Sequence, residues 1–475
     1  MNKVKHLSVL ILVMGLMFHA FAQKGGYNIK VKINGIKDTS CFIAGYYGEK
    51  QYLKDTAKVD SKGNMVFSDT KPFPGGIYLI VTPNHKYFEF IINKEQNFSI
   101  ETDTVNFVKN MKIKGSPENK LFYDYLNYIA LKQEVADPMR KDLKNTKNQD
   151  SVKLLQKKLT ALDDEVKAYK LQFMKDHPET FLAKVFKTSE EIDLPESPVL
   201  PNGKKDSTFV YRYYKAHFFD FIDFSDERLL RTPVFHNKIK QYITQVVPQL
   251  PDSIDKEADY IIEKARANKE VFKYVVWYIT NWSETCNIMG MDAVFVHMVE
   301  TYYNTNQAYW VGAAQLQKIS DRAQQMKYTL LGTKATNLIM PDNKGKIQSL
   351  YNVKANYTIL YFWDPDCGHC QKETPVLLDY YHKMKSKGFE VYAVGSVANL
   401  KEWRKYITDK KLDWINVADT VNRNNFKYIY DVATTPVVYL LDEDKRILTK
   451  GIRGAQLEEF IDRRLKKEME GDIKK

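Results

Sequence analysis

The chain changes its hydrophobic rhythm three times. From Tyr27 to about Thr104 apolar and polar positions alternate with period two, as in Tyr27, Ile29, Val31 and Ile33 and again in Phe88, Phe90 and Ile92. Asn34-Gly35, Asp60-Ser61-Lys62-Gly63-Asn64 and Pro74-Gly75-Gly76 supply the turns. The pattern predicts an antiparallel, sandwich-like β domain over residues 23–113. From Ser116 the period lengthens. Ser116-Pro117-Glu118 joins a capping hydroxyl to a proline at the first helical position, and Leu121, Tyr125 and Tyr128 follow at helical spacing. A second, highly charged helix over 150–177 follows the polar Lys144-Asn145-Thr146-Lys147-Asn148, which predicts an antiparallel hairpin. Further helices are predicted over 252–267, 269–287 and 292–303, and the proline-rich Leu194–Pro201 reads as a rigid loop. Residues 114–330 are thus expected to form an all-α domain. In residues 331–475 strands and helices alternate: a strand over Tyr357–Trp363, a helix over 367–387, a strand over 389–397, a helix over 403–411, a strand over 435–442 with its partner over 445–450, and a terminal helix over 456–469. That order predicts an α/β domain.

The first residues break the domain pattern. Lys3 and Lys5 form a basic start, Leu7 to Leu16 an apolar stretch, and Ala20-Phe21-Ala22 a small-x-small site, so residues 1–22 read as a secretory signal peptide. The stretch falls short of the roughly 20 apolar residues that span a bilayer. At 475 residues, 44% hydrophobic and 27% charged, the chain has the composition of an ordinary multidomain globular protein. Its formal charge of +12 is dispersed among acidic neighbours, as in Lys466-Lys467 followed by Glu468 and Glu470. Dispersed charge argues against a nucleic-acid partner and leaves electrostatic attachment to an anionic membrane surface open.

Four cysteines are few for a disulfide-stapled secreted protein. Cys41 and Cys286 are isolated and are read as buried apolar residues, with a structural disulfide between them as the alternative. Cys367 and Cys370 stand two residues apart, directly after the apolar run ending at Trp363. A strand feeding a helix sets the first thiol at the helix N-terminus, where free N–H groups and the helix dipole favour the thiolate. The pair alone is compatible with a zinc half-site, a loop staple or a redox dithiol. A structural zinc site needs a second ligand pair, and none follows the required spacing, so no metal is expected.

The run Phe362-Trp363-Asp364-Pro365-Asp366-Cys367-Gly368-His369-Cys370-Gln371-Lys372-Glu373-Thr374-Pro375, with Thr435-Pro436 downstream, resembles the thioredoxin superfamily and its TlpA/ResA-like envelope branch. The resemblance covers the last third of the chain. It implies a thioredoxin fold opening with a hairpin at Ala335–Leu350, catalytic roles for Cys367 and Cys370, and a proton-handling role for Glu373. It further implies a substrate-binding surface of Trp363, Thr435 and Pro436, a kink at Pro375, and no cofactor beyond the reversible Cys367–Cys370 disulfide. Asp366, Gly368 and His369 would tune the potential. The Gly-His dipeptide is similar to that of protein disulfide isomerase, at about −180 mV against about −270 mV for thioredoxin. Tyr361 departs from the pattern, standing where thioredoxin has a buried aspartate. The segment Asp55–Asn64 resembles a small β domain of unknown function found before thioredoxin modules in bacterial envelope proteins.

The expected function is an exported thiol–disulfide oxidoreductase in the periplasm or cell envelope of a bacterium, exchanging disulfides with cysteine-containing envelope proteins and with an upstream redox partner. Two other classes compete. One is an envelope binding protein whose thioredoxin module is regulatory, since the first two domains make up more than half of the chain. The other is a peroxiredoxin-like peroxidase, which needs a Pro-x-x-x-Thr/Ser-x-x-Cys loop that Pro365-Asp366-Cys367 does not provide.

Overall fold

A computed structural model describes residues 26–421 and 423–470. The expected signal peptide at 1–22 lies outside the described residues. The chain has an N-terminal strand-rich region, a helical middle and a C-terminal α/β domain, and it divides between Tyr242 and Ile243 into two compact units.

In the first unit, β1 (Tyr27–Asn34), β2 (Thr39–Tyr47), β3 (Lys50–Val59), β4 (Asn64–Asp69), β5 (Gly76–Val81), β6 (Tyr87–Ile92), β7 (Asn97–Asp103) and β8 (Lys112–Lys114) form two sheets, ordered β4-β1-β7-β8 and β3-β2-β5-β6. Alternate residues such as Ile29, Val31, Ile43, Phe67, Ile80, Phe90 and Ile100 share one core, as the period-two pattern requires. The expectation of a purely antiparallel domain needs one correction, because β1 pairs with β7 in parallel, Asn28 opposite Asn97 through Asn34 opposite Asp103. A parallel pair needs a long crossover, and the strands of the second sheet supply it.

Helix α1 (Pro117–Asn145) begins at the predicted cap: Ser116 Oγ accepts from the Asn119 amide and Pro117 opens the first turn. Asn119 is fully buried against edge strand β6; its Oδ1 accepts from the Ile91 amide and its Nδ2 donates to the Ile91 carbonyl, both at 2.7 Å. The helix thus satisfies backbone groups that an edge strand leaves open. Asn148 caps α2 (Gln149–Asp176), which runs antiparallel to α1, with Tyr128 stacked on Tyr169 at 4.3 Å and Lys132 paired with Glu165. Helices α3 (Phe181–Ser189), α4 (Phe209–His217) and α5 (Pro233–Gln241) follow.

The second unit opens with α6 (Pro251–Ala265), α7 (Lys269–Thr285) and α8 (Asp292–Met298), which continues as a wider π turn over Val299–Tyr303. Helix α9 (Ala313–Lys327) completes this layer. After the hairpin β9 (Ile339–Pro341) and β10 (Ile347–Ser349) come β11 (Tyr357–Trp363), α10 (Gly368–Met384), β12 (Phe389–Gly395), α11 (Leu400–Asp409), β13 (Ile415–Ala418), α12 (Phe426–Ile429), β14 (Val437–Leu441), β15 (Ile447–Lys450) and α13 (Ala455–Met469). The sheet order is β13-β12-β11-β14-β15, with β14 antiparallel to β11. Every residue of β11 is buried, as expected of a strand with helices on both faces. Tyr357, Ile359, Tyr361 and Trp363 fill one core with Cys370, and Leu360 and Phe362 fill the other. Among the described residues no helix is long and apolar enough to cross a membrane.

Candidate active site

Strand β11 ends at Trp363, and the next four residues turn the chain into α10. The Asp366 amide donates to Asp364 Oδ1 at 2.9 Å, the Cys367 amide to the Asp364 carbonyl at 3.1 Å, and Gln371 Nε2 to the Pro365 carbonyl at 2.8 Å. Cys367 becomes the N-cap of α10, with extended backbone, and its carbonyl accepts from the Gln371 amide. The cysteine spacing then sets Cys370 one turn into the helix on its inner face.

The two thiols occupy opposite environments. Cys367 is partly exposed and Cys370 is fully buried. The backbone N–H of Cys370 is the largest influence on Cys367 and holds its thiol below the ordinary cysteine value, with further help from the Cys370 thiol and the His369 N–H. These are the unpaired donors of a helix N-terminus. Burial pushes Cys370 the other way, up to about 11, although the Asp364 amide donates to its sulfur at 3.4 Å. Both are free thiols here. Such a pair has one sulfur able to attack and one held protonated in reserve.

Opposite the dithiol lies Thr435-Pro436, whose peptide bond is cis. Cys367 Sγ donates to the Thr435 carbonyl at 3.3 Å. The register explains the meeting: Phe362 pairs with Val437, so the end of β11 and the start of β14 are neighbours.

The other site residues expected from the sequence divide. Asp366, Gly368 and His369 are not buried, and a Cβ on Gly368 would meet nothing within 4 Å, so the dipeptide borders open space. The lowering of Cys367 comes foremost from backbone donors, a contribution that side-chain identities do not reveal. Trp363 differs from its expected place on a substrate surface. It is 0% exposed, stacked on Tyr361 at 6.3 Å and tilted against Tyr406 at 5.4 Å. A side chain so placed supports the dithiol from behind and cannot touch a substrate. Glu373 is half-buried, and its carboxylate accepts from the Gly454 amide at 2.6 Å, at the entrance to α13. Cys286, expected to be buried, is only partly so, because it lies just beyond the last turn of α7. Cys41 is fully buried.

Sequence reasoning passes over Thr374 and Tyr406. Thr374 Oγ1 lies 3.0 Å from Tyr361 Oη, both buried, one turn beyond Cys370. Tyr406 arrives from α11, and no local spacing links it to the dithiol.

A model of the AhpC/TSA family matches residues 331–450, the span holding this sheet and dithiol. Thiol-disulfide oxidoreductase ResA of Bacillus thuringiensis subsp. konkukian is 28% identical over 137 residues, 29% of this chain and 78% of the relative. The C-terminal domain is thioredoxin-like, of the ResA/TlpA type. ResA of Bacillus subtilis is 27% identical over 130 residues, 27% of this chain and 71% of its own. A solved structure from Cytophaga hutchinsonii, described as a domain of a possible thiol-disulfide isomerase, is 47% identical and covers 29% of this chain and 94% of that one, with a TM-score of 0.28. Residues 27–122 match DUF4369 and residues 139–329 match DUF5106, both domains of unknown function. The thioredoxin-like domain thus carries redox function of the thiol-disulfide oxidoreductase class.

The opposed thiol environments predict a two-phase alkylation profile. The thiolate is the reacting species, so Cys367 should react with iodoacetamide to a half-maximal rate at a pH below that of an ordinary thiol, falling about tenfold per unit below that midpoint. Cys370 should follow only towards about pH 11. Peptide mass mapping across pH distinguishes the two; equal midpoints would contradict the assignment.

Proposed function

We propose that the protein is an exported thiol–disulfide oxidoreductase that exchanges disulfides with cysteine-containing envelope proteins through Cys367 and Cys370, itself re-poised by an upstream redox partner. The observation that carries this reading is the pairing of a helix-capping, partly exposed thiol of lowered pKa with a fully buried thiol one turn later. Cys367 thiolate attacks a substrate disulfide; one substrate sulfur leaves, and a mixed disulfide forms. Cys370 then attacks Cys367, releasing the reduced substrate and leaving the Cys367–Cys370 disulfide, with no other cofactor. Run backwards, the same steps oxidise a substrate dithiol.

Thr435, beside Cys367 and partly exposed, offers backbone to an extended substrate segment by strand addition, while Pro436, expected from the sequence to share that surface, is buried and fixes the Thr435 backbone from beneath. Export is supported by the pattern of residues 1–22 and suits a dithiol, because disulfides form and persist in such compartments.

A Cys370→Ser variant, secreted from a bacterial host and recovered without reductant, tests the reading. It should accumulate mixed disulfides on Cys367 with envelope proteins, released by dithiothreitol and identified by mass spectrometry. Recovery of the variant free of disulfide-linked partners would count against exchange with proteins.

A further inference from the structure

Thr435 presents the carbonyl that meets Cys367, and the segment leading to it is held by a helix from outside the thioredoxin-like span. Arg322 Nη1 of α9 donates to Asp431 Oδ1 at 2.9 Å, and Gln325 Nε2 of the same helix donates to the Tyr428 carbonyl at 3.1 Å. The two side chains brace each other, Arg322 Nη1 also donating to Gln325 Oε1 at 2.8 Å, and the Tyr328 ring meets the Tyr428 ring edge-on at 6.2 Å. From β14, Tyr439 Oη donates to the Tyr430 carbonyl at 2.6 Å. The end of α12 is thus gripped from two sides. Arg322 and Gln325 belong to the residues that match the domain of unknown function at 139–329, and Asp431 belongs to the 331–450 match.

Asp431 is where this grip reaches the backbone. Its φ is 49°, in the left-handed region that a residue other than glycine enters at a cost and that aspartate tolerates better than most. Thr435 follows four residues later, a span of at most about 14 Å when fully extended. Within it Val432 is buried while Ala433 and Thr434 are exposed. So short a tether leaves little slack between Asp431 and the carbonyl that faces Cys367.

We propose that Arg322 is a positioning residue of the exchange site: acting through Asp431, it fixes the Thr435 backbone for an extended peptide substrate and gives the helical layer a part in substrate binding. A peptide that adds a strand at Thr435 needs that backbone in register. Attack by Cys367 depends instead on the donors at the start of α10, which the tie does not touch. Loss of the tie therefore falls on KM rather than kcat, and on peptides rather than on small disulfides that have no backbone to pair.

This inference rests on the dithiol-exchange reading, and one experiment separates the two. The full-length protein is assayed with dithiothreitol as donor on a fluorescent peptide carrying a disulfide-linked quencher. In parallel, the reduced protein is mixed with 5,5′-dithiobis(2-nitrobenzoate) in a stopped-flow instrument. Arg322→Gln and Asp431→Asn should each raise KM for the peptide about fivefold, the fold-change of about one net hydrogen bond, with kcat and the small-disulfide rate within twofold of the original. Asparagine also tolerates the left-handed region, so Asp431→Asn tests the carboxylate rather than the turn. Arg322→Lys should keep KM near the original, because one arginine nitrogen serves both bonds and an ammonium can stand in its place. The double variant Arg322→Gln/Asp431→Asn should be no worse than either single one, since both remove the same tie. The inference is overturned if KM stays at the original value in both single variants, if the small-disulfide rate falls as far as peptide turnover, or if the two substitutions multiply in the double variant. An unsubstituted protein that released no thiolate from the small disulfide would overturn dithiol exchange itself, and this inference with it.

Discussion

Replacing Cys367 with Ser should lower reduction of a disulfide substrate by at least about a thousandfold, the scale on which removal of a catalytic nucleophile acts. Sulfur is irreplaceable here because the step is attack by a thiolate on sulfur, and a serine hydroxyl neither ionises near neutral pH nor forms the mixed disulfide. Cys370 cannot substitute, being fully buried with its thiol pushed up to about 11. The substitution should leave the fold intact, since Cys367 is partly exposed and its sulfur makes one weak hydrogen bond, to the Thr435 carbonyl. Turnover coupled to a dithiol reductant measures the effect. A variant within tenfold of the original rate would move the chemistry away from Cys367.

Trp363→Ala should destabilise the second unit by about 3–5 kcal/mol, the usual cost of emptying a large aromatic site in a core. Trp363 is among the largest fully buried side chains and packs between Tyr361 and Tyr406 behind Cys370. Neighbours held by a central strand collapse poorly into the space. The chain has two units, so a global unfolding curve mixes transitions. Alkylation of Cys370 in increasing urea at neutral pH follows the second unit alone, because at that pH the buried, protonated thiol reacts only when its core opens. The midpoint should fall sharply in the variant. If Trp363 instead touched substrate, the midpoint would hold and KM would rise.

The legible parts of this chain are those whose pattern is local. Strand β11 shows as an unbroken apolar run because both of its faces are covered, and α10 follows from its cysteine cap and apolar spacing. Strand β13 escapes a sequence reading because it has four residues with Asn416 among them, a polar side chain made tolerable inside by the Trp414 Nε1 donor at 2.8 Å and the Leu412 carbonyl at 2.9 Å. Helix α9 escapes it for the opposite reason, being so polar that Ala323 and Met326 are its buried residues. Alternation locates β1 and β7, yet period two carries no information on the direction of a partner strand. At the site, Cys367 and Cys370 are legible from spacing. The bond from Glu373 to Gly454 and the approach of Tyr406 join segments far apart in sequence, and side-chain type does not encode them.

The central claim is that Cys367 and Cys370 form one reversible two-electron couple. Equilibration of the purified protein in graded glutathione or dithiothreitol buffers, quenched by alkylation and read by mass, tests it most directly. The account predicts that both cysteines change state together along a single two-electron curve, with a midpoint between about −270 and −120 mV and nearer about −180 mV. Cysteines that respond independently, or remain alkylatable at every potential, would contradict it.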